Sequence, residues 1–238
     1  MKCLLSVCLI ASLAAAIVHV VERPVNASQE TTPTLQLGVS VTMAGTSNAQ
    51  PMPEADSADA WIVTVIENGS LYFGTNAVSP ESLMEEMKSR PRNREQKLYI
   101  KADARAPFAK VERVFEAGRE VAFGSAVLLT AQPAHPSFGT VAPPNGLEVL
   151  TGPALPAGTV ATVVQLLNSR QEGPLLRVND DEISRSALES TLRQHFQKGD
   201  NKVILLKADT RLQFGQVVQV IDACRAAGAT VVMAPPVI

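Results

Sequence analysis

Apolar positions along this chain fall into short strand-like runs separated by stripes spaced three and four apart, and the succession occurs twice. In the first round, Trp61-Ile62-Val63-Thr64-Val65-Ile66 is a continuous apolar run that predicts a strand. Asn68-Gly69 is a hairpin-type turn dipeptide, and Leu71-Tyr72-Phe73 predicts a second short strand. Ser79 followed by Pro80 and Glu81 has the order of a helix start, with Leu83, Met84 and Met87 on one side of the helix. Residues 97–101 predict a third strand. Pro107 opens a second helix with Val111, Val114, Phe115 and Gly118 on one stripe. Gly124 is expected to end that helix, and Ser125 to Thr130 forms a fourth strand.

The second round repeats this order. Residues 159–167 and Leu175 to Val178 predict two strands, and Ser184 is expected to cap a helix with Leu188 and Leu192 inward. Val203 to Leu206 is the third strand. Val217, Val220, Ile221 and Cys224 form the second helical stripe, Gly228 stops it, and Thr230 to Met233 is the last strand. The register is marked by Lys101-Ala102-Asp103 and Lys207-Ala208-Asp209, each leaving an apolar run and each followed five residues later by a phenylalanine, Phe108 and Phe214. The two aspartates are 106 positions apart (103 to 209). An internal repeat of that period predicts an α/β (α+β) fold of two tandem ββαβαβ modules. Each would be a small sheet with two helices packed on one face. The boundaries expected are 61–130 for the first module and 158–238 for the second.

Two stretches lie outside the modules. Residues 28–60, rich in Thr, Ser, Ala, Gln and Pro, are expected to be a flexible tether, with one edge strand where residues 35–41 alternate. Residues 131–157 carry Pro133, Pro136, Pro143, Pro144, Pro153 and Pro156, and are expected to be a semi-rigid linker. Ahead of all this, residues 3–21 contain no Asp, Glu, Lys or Arg. That length suits either a transmembrane anchor or, with cleavage near Ala27 or within residues 14–16, a signal peptide. Both place the body after Glu22 outside the cytoplasm.

Composition narrows the chemistry. A formal charge of −2 gives no basic footprint for nucleic acid. The cluster Lys88, Arg90, Arg92, Arg94 and Lys97, broken by Pro91 and Glu95, is expected to be a solvated loop. Cys3 and Cys8 lie in the leader, so Cys224 is the one thiol of the body and no disulfide framework can form within it. His135 and His195 are the body's only histidines, and no His/Cys cluster has metal-ligand spacing. No glycine-rich phosphate loop follows a strand, and Gly124-Ser125 lacks the surroundings of a nucleophile elbow. No cofactor and no enzymatic activity are expected. Asp103 and Asp209 are the candidates for an acid/base or ligand role. The competing expectation is that each bonds the amides of the turn it opens. His19 is the most polar member of the leader's apolar run and is expected to be a titratable group there if the leader is retained.

A strand closing on Ala-Asp, an aromatic five residues later, a Val-rich helix, a helix-ending glycine and a short last strand together resemble the ExbD/TolR family. The residues that carry the resemblance are Ala102, Asp103, Phe108 and Gly124, and then Ala208, Asp209, Phe214, Gly215 and Gly228, with residues 214–228 the closer match. The resemblance implies a periplasmic domain on a bacterial inner-membrane stator subunit. Such a subunit works with an ExbB/TolQ-like channel subunit to drive a TonB- or TolA-like protein. It also implies an aspartate in the membrane helix for proton coupling, whereas residues 3–21 contain no carboxylate. The expectation is therefore a non-enzymatic envelope protein that does not carry the proton itself. The alternative is a soluble periplasmic module, its leader cleaved, that binds cell wall or a protein partner. A homodimer formed by strand addition and a pairing of both modules inside one chain are equally compatible with the sequence.

Overall fold

A computed structural model describes residues 39–93, 95–131, 143–151, 161–169, 173–197 and 202–235. The leader, residues 28–38 and much of the Pro-rich stretch lie outside the described residues. Among the described residues no helix is long and apolar enough to cross a membrane.

The elements in chain order are β1 (Gln50–Pro51), β2 (Trp61–Val65), β3 (Leu71–Phe73), β4 (Asn76–Val78), α1 (Pro80–Ser89), β5 (Leu98–Ala102), α2 (Phe108–Glu120), β6 (Ser125–Thr130) and β7 (Asn145–Leu150). They continue with β8 (Thr162–Leu167), β9 (Leu175–Val178), β10 (Asp181–Ile183), α3 (Leu188–Gln197), β11 (Val203–Ala208), α4 (Phe214–Ala226) and β12 (Thr230–Met233). All twelve strands join one sheet, in the order β10-β9-β8-β11-β12-β7-β6-β5-β2-β3-β4, with β1 paired to the start of β7. On either side of β7 the order is the same read outward: β6-β5-β2-β3-β4 on one side, β12-β11-β8-β9-β10 on the other.

Two separate small sheets were the expectation from sequence; one continuous sheet is the finding. The element that fuses the halves comes from the expected linker. β7 pairs antiparallel with β6 over six residues and parallel with β12 at Leu150 and Val232. Its alternation explains why it forms. Leu147 and Val149 are buried in the main core, while Glu148 turns to the other side and accepts from Ser125 Oγ at 2.8 Å. Gly146 is required there, because a Cβ would come within 2.4 Å of Val127 Cγ1 and 3.1 Å of the Leu128 carbonyl oxygen. The prolines that suggested a spacer flank this strand rather than interrupt it.

The main core lies between the sheet and its four helices. Trp61, Val63 and Val65 of β2, Leu98 and Ile100 of β5, and Ile204 and Leu206 of β11 face Leu83, Phe115, Leu192, Val217 and Ile221 in one cluster. Alternate residues point to the opposite face. There Ile62, Tyr99, Val127 and Leu129 are covered by Met52 and Ala55, from a 3-10 turn at Pro53–Asp56. The expected tether is thus packed structure from residue 43 onward, with Ala44, Ala49, Met52 and Ala55 all buried. The described part of the expected 35–41 strand, residues 39–41, is not in a strand; Met43 and Gly45 make isolated bridges instead.

Local signals account for most boundaries. Ser79 Oγ accepts from Ser82 N at 3.1 Å and Ser82 Oγ from Ser79 N at 2.8 Å, a reciprocal cap for α1. α2 ends at Glu120, four residues before Gly124, because Ala122 takes the left-handed conformation (φ 61°) that closes a helix, and Gly124 leads into β6. Ser184 opens a 3-10 turn, Arg185–Ala187, ahead of α3 and makes no side-chain cap. Gly228, at φ 79°, stops α4. Cys224 is fully buried, and burial pushes its thiol up to about 12, so it packs as a small apolar side chain.

Candidate functional site: the paired strand-exit loops

β5 and β11 are inner strands, each parallel to both of its neighbours but opposite in sense to the other, and a Lys-Ala-Asp triplet closes each of them. Each aspartate begins a tight turn. Asp103 N donates to the Val65 carbonyl and Asp209 N to the Leu166 carbonyl, both at 2.9 Å. Asp103 Oδ1 accepts from Arg105 N at 3.0 Å and Nε at 3.2 Å, and its Oδ2 accepts from Thr42 N at 3.1 Å. Asp209 Oδ1 accepts from Arg211 N at 2.9 Å and Nε at 3.0 Å, and Oδ2 from Arg211 Nη2 at 2.5 Å.

These contacts set the charge states. Burial alone would raise the Asp103 carboxyl, but the hydrogen bonds from Arg105 and Thr42 outweigh it and hold the group below the usual carboxylate range. For Asp209 the Arg211 side chain dominates and the carboxyl falls to about 2. A carboxylate so held has no proton to give or take near neutral pH. Because the folded value lies below the unfolded one, Asp209 stabilises the fold above about pH 4, and that contribution is lost as pH falls toward 2. Asp209→Asn should therefore lower stability by about 1 kcal/mol at pH 6, a value discounted for screening at the exposed Arg211. The wild-type and variant melting temperatures, about 2–4 °C apart at pH 6, should converge by pH 2. A gap that persists at pH 2 would contradict the ion-pair account.

Beyond the aspartates the two loops pair with each other. Phe108 N donates to the Leu212 carbonyl at 2.8 Å and Phe214 N to the Ala106 carbonyl at 2.9 Å. Ala109 N donates to the Thr210 carbonyl at 3.1 Å and Gly215 N to the Ala104 carbonyl at 2.8 Å. Pro107 and Gln213 form the bridge between them. The pattern is reciprocal: every bond from one loop has its counterpart 106 positions away. The first amides of a helix have no intrahelical acceptor. Here the first two amides of α2 and of α4 are satisfied by the opposite loop, so each half caps the other's helix.

Of the residues marked in the sequence, Ala102, Asp103, Phe108, Ala208, Asp209, Phe214 and Gly215 converge on this junction. Phe108 and Phe214 are buried in the main core. Gly124 and Gly228 sit at the opposite end of the strands, leading into β6 and β12. Sequence reasoning missed the segment Thr42–Thr46, which lies across the strand exits of the first half. The period-two run that ends at Val41 was the nearest signal to it.

On the second half's side the same exits border an open cleft of about 490 Å³. Its lining includes Phe108 and Glu112 of α2, Leu167, Lys207, the turn at Asp209–Arg211, and Met233–Pro235. Glu112 is buried, which pushes its carboxyl up against the opposing pull of Arg119, whose Nη2 donates to Glu112 Oε1 at 3.1 Å. Among the described residues no group of three or more His, Cys, Asp or Glu is placed to hold a metal ion.

No curated protein matches the chain. A family model described as biopolymer transport protein ExbD/TolR matches residues 9–133 and 153–234, so that both halves and the stretch ahead of them are covered. With most of its length matched, the chain belongs to the ExbD/TolR family of biopolymer transport proteins.

Proposed function

We propose that this chain takes part, without enzymatic activity, in energising biopolymer transport in the bacterial envelope, as a stator-type subunit whose two domains are tandem copies already assembled in one polypeptide. The observation that carries this reading is the reciprocal capping of α2 and α4 across the strand-exit loops, together with the shared sheet through β7. Pairing that a single-domain chain could reach only by association is built into this one. The Lys-Ala-Asp triplets then serve the junction rather than a reaction, in keeping with carboxylates tied down by their own turns.

Family membership and the sequence support the finer assignments of this reading. Residues 1–27 anchor the body to the inner membrane with the two domains in the periplasm, and the partner is an ExbB/TolQ-like channel subunit acting toward a TonB- or TolA-like protein. The proton step belongs to another chain, since residues 3–21 hold no carboxylate that could be neutral in lipid and charged on exposure. Affinity purification of the full chain from detergent-solubilised membranes should recover a channel subunit of that type. N-terminal sequencing of the mature protein should find Met1 or Lys2 intact. A mature start near Ser28 together with no channel subunit recovered would replace this reading with a soluble periplasmic binding module.

A further inference from the structure

We propose that the open pocket where β2 and β5 begin is a binding site for an alkylammonium group, the charged head of an aliphatic amine. The pocket encloses about 370 Å³ between residues 54–60 on one side and residues 93 and 95–97 on the other. Tyr99 of β5 lines it from beneath. The residue is only 3% exposed, yet its hydroxyl has no hydrogen-bond partner among the described residues. The oxygen is not sealed within the protein, so it opens onto the pocket. A buried tyrosine ordinarily finds a partner for its hydroxyl. Packing does not require a hydroxyl here, because the residue 106 positions on, at the matching place in β11, is Leu205. Tyr99 Oη is a polar group that the fold leaves unused.

The charge around it is negative. Among the described residues the walls carry three exposed carboxylates, Glu54, Asp59 and Glu95, against one ammonium, Lys97, which is turned to Glu148 at 3.4 Å. Burial, and then the charges of Glu54 and Glu148, push the Tyr99 phenol up to about 12. It therefore stays neutral, and its oxygen can accept from a cation. The carboxylates do not converge: among the described residues no three acidic groups are placed to hold a metal ion. A point cation is poorly matched to such an arrangement. An ammonium group, whose N–H donors point in several directions, can reach Tyr99 Oη below and a carboxylate on either wall. Its alkyl stem then lies against Ala60 and Trp61.

The walls are fixed before any ligand arrives. Gln96 joins them: its Nε2 donates to Asp59 Oδ2 at 2.9 Å, and its Oε1 accepts from Trp61 Nε1 at 3.2 Å and from Asn93 N at 3.0 Å. Arg90 Nη2 donates to the Asp59 carbonyl at 2.9 Å, while its guanidinium lies 4.9 Å from the centre of the Trp61 ring. With Arg90 already stacked on Trp61, the ligand is recognised by oxygen acceptors rather than by an aromatic face. A site held in shape this way loses little freedom on binding.

The test uses the purified full chain in detergent, with cadaverine and Nα-acetyl-lysine amide as separate probes at constant ionic strength. Trp61 is the chain's only tryptophan, so its fluorescence reports on the pocket. A saturable change is expected, with a Kd on the order of 1 mM. Saturation by cadaverine alone supports the site as one for a free diamine. Saturation by the lysine derivative supports it as one for a lysine side chain of a polypeptide. Tyr99→Phe removes only the unbonded hydroxyl and should weaken binding about tenfold with an unchanged melting temperature. Glu54→Gln, at the surface, should weaken it about threefold or more, and it decides the matter if Tyr99→Phe does not fold. The proposal is overturned if neither probe saturates, if sodium chloride gives the same fluorescence change, or if affinity is indifferent to these substitutions. Recovery of a channel subunit from membranes is a separate readout that none of these outcomes changes.

Discussion

Phe214→Ala should cost about 3–5 kcal/mol of unfolding free energy, and the loss should be felt in both halves. The side chain is fully buried in the core beneath the sheet, so truncation removes an aromatic ring's worth of contact and leaves a void that close-packed neighbours fill only in part. Phe214 is also the first residue of α4, and its amide is bonded to Ala106 in the other half. Loss of the ring that fixes this residue weakens the reciprocal bond from Phe108 to Leu212. Urea unfolding followed by circular dichroism should show one transition with a lowered midpoint, because β6, β7 and β12 form one continuous ladder. Hydrogen exchange should show protection lost at Phe108 as well as Phe214. Two separable transitions, or loss of protection in the second half alone, would mean that the halves are independent after all.

That coupling was the part of the fold least legible in the sequence. Periodicity located strands such as Leu71–Phe73, Ser125–Thr130 and Thr230–Met233, because buried strands need apolar runs and short strands leave little room for error. Local rules fixed Ser79 as a cap and Gly228 as a stop, since both act through neighbouring atoms. β7 was hidden by composition. Its alternating Leu147 and Val149 lie among prolines whose usual meaning is a spacer, and only the tertiary pairing with β6 and β12 shows otherwise. The short strands β4 and β10 were missed for a related reason. Asn76–Val78 and Asp181–Ile183 are polar edge strands, held by a neighbour's ladder rather than by any burial pattern of their own.

The candidate site was legible in its residues but not in its arrangement. The repeat spacing singled out both aspartates and both phenylalanines, yet no local pattern says that residues 104–109 bond residues 210–215. Nor does anything near Asp222 announce that it holds the amides of Ser47 and Asn48, which lie 174 or more positions away. Such contacts are fixed by topology.

The Ala109 and Gly215 pair separates the symmetric account of the junction from a merely local one. Both residues occupy the second position of their helix and both donate to the opposite loop, at 3.1 and 2.8 Å. The approach is closer at Gly215, where a Cβ would lie 2.9 Å from the Ala104 carbonyl oxygen and 3.2 Å from the Ala104 Cβ. Helix propensity alone favours Gly215→Ala by up to about 1 kcal/mol. The contact with backbone atoms, which cannot rotate away, reverses the sign. Gly215→Val should therefore destabilise by about 2–4 kcal/mol, combining overpacking with loss of the bond to Ala104. Ala109→Gly, at the matching position with the longer bond, should cost no more than about 1 kcal/mol. Chemical denaturation of the two variants beside the wild type measures the difference. Equal effects at the two positions would show that the halves do not meet as closely as these bonds require, whereas a large loss at Gly215 alone places the tight point of the junction on α4, beside the carbonyl of the loop that Asp103 opens.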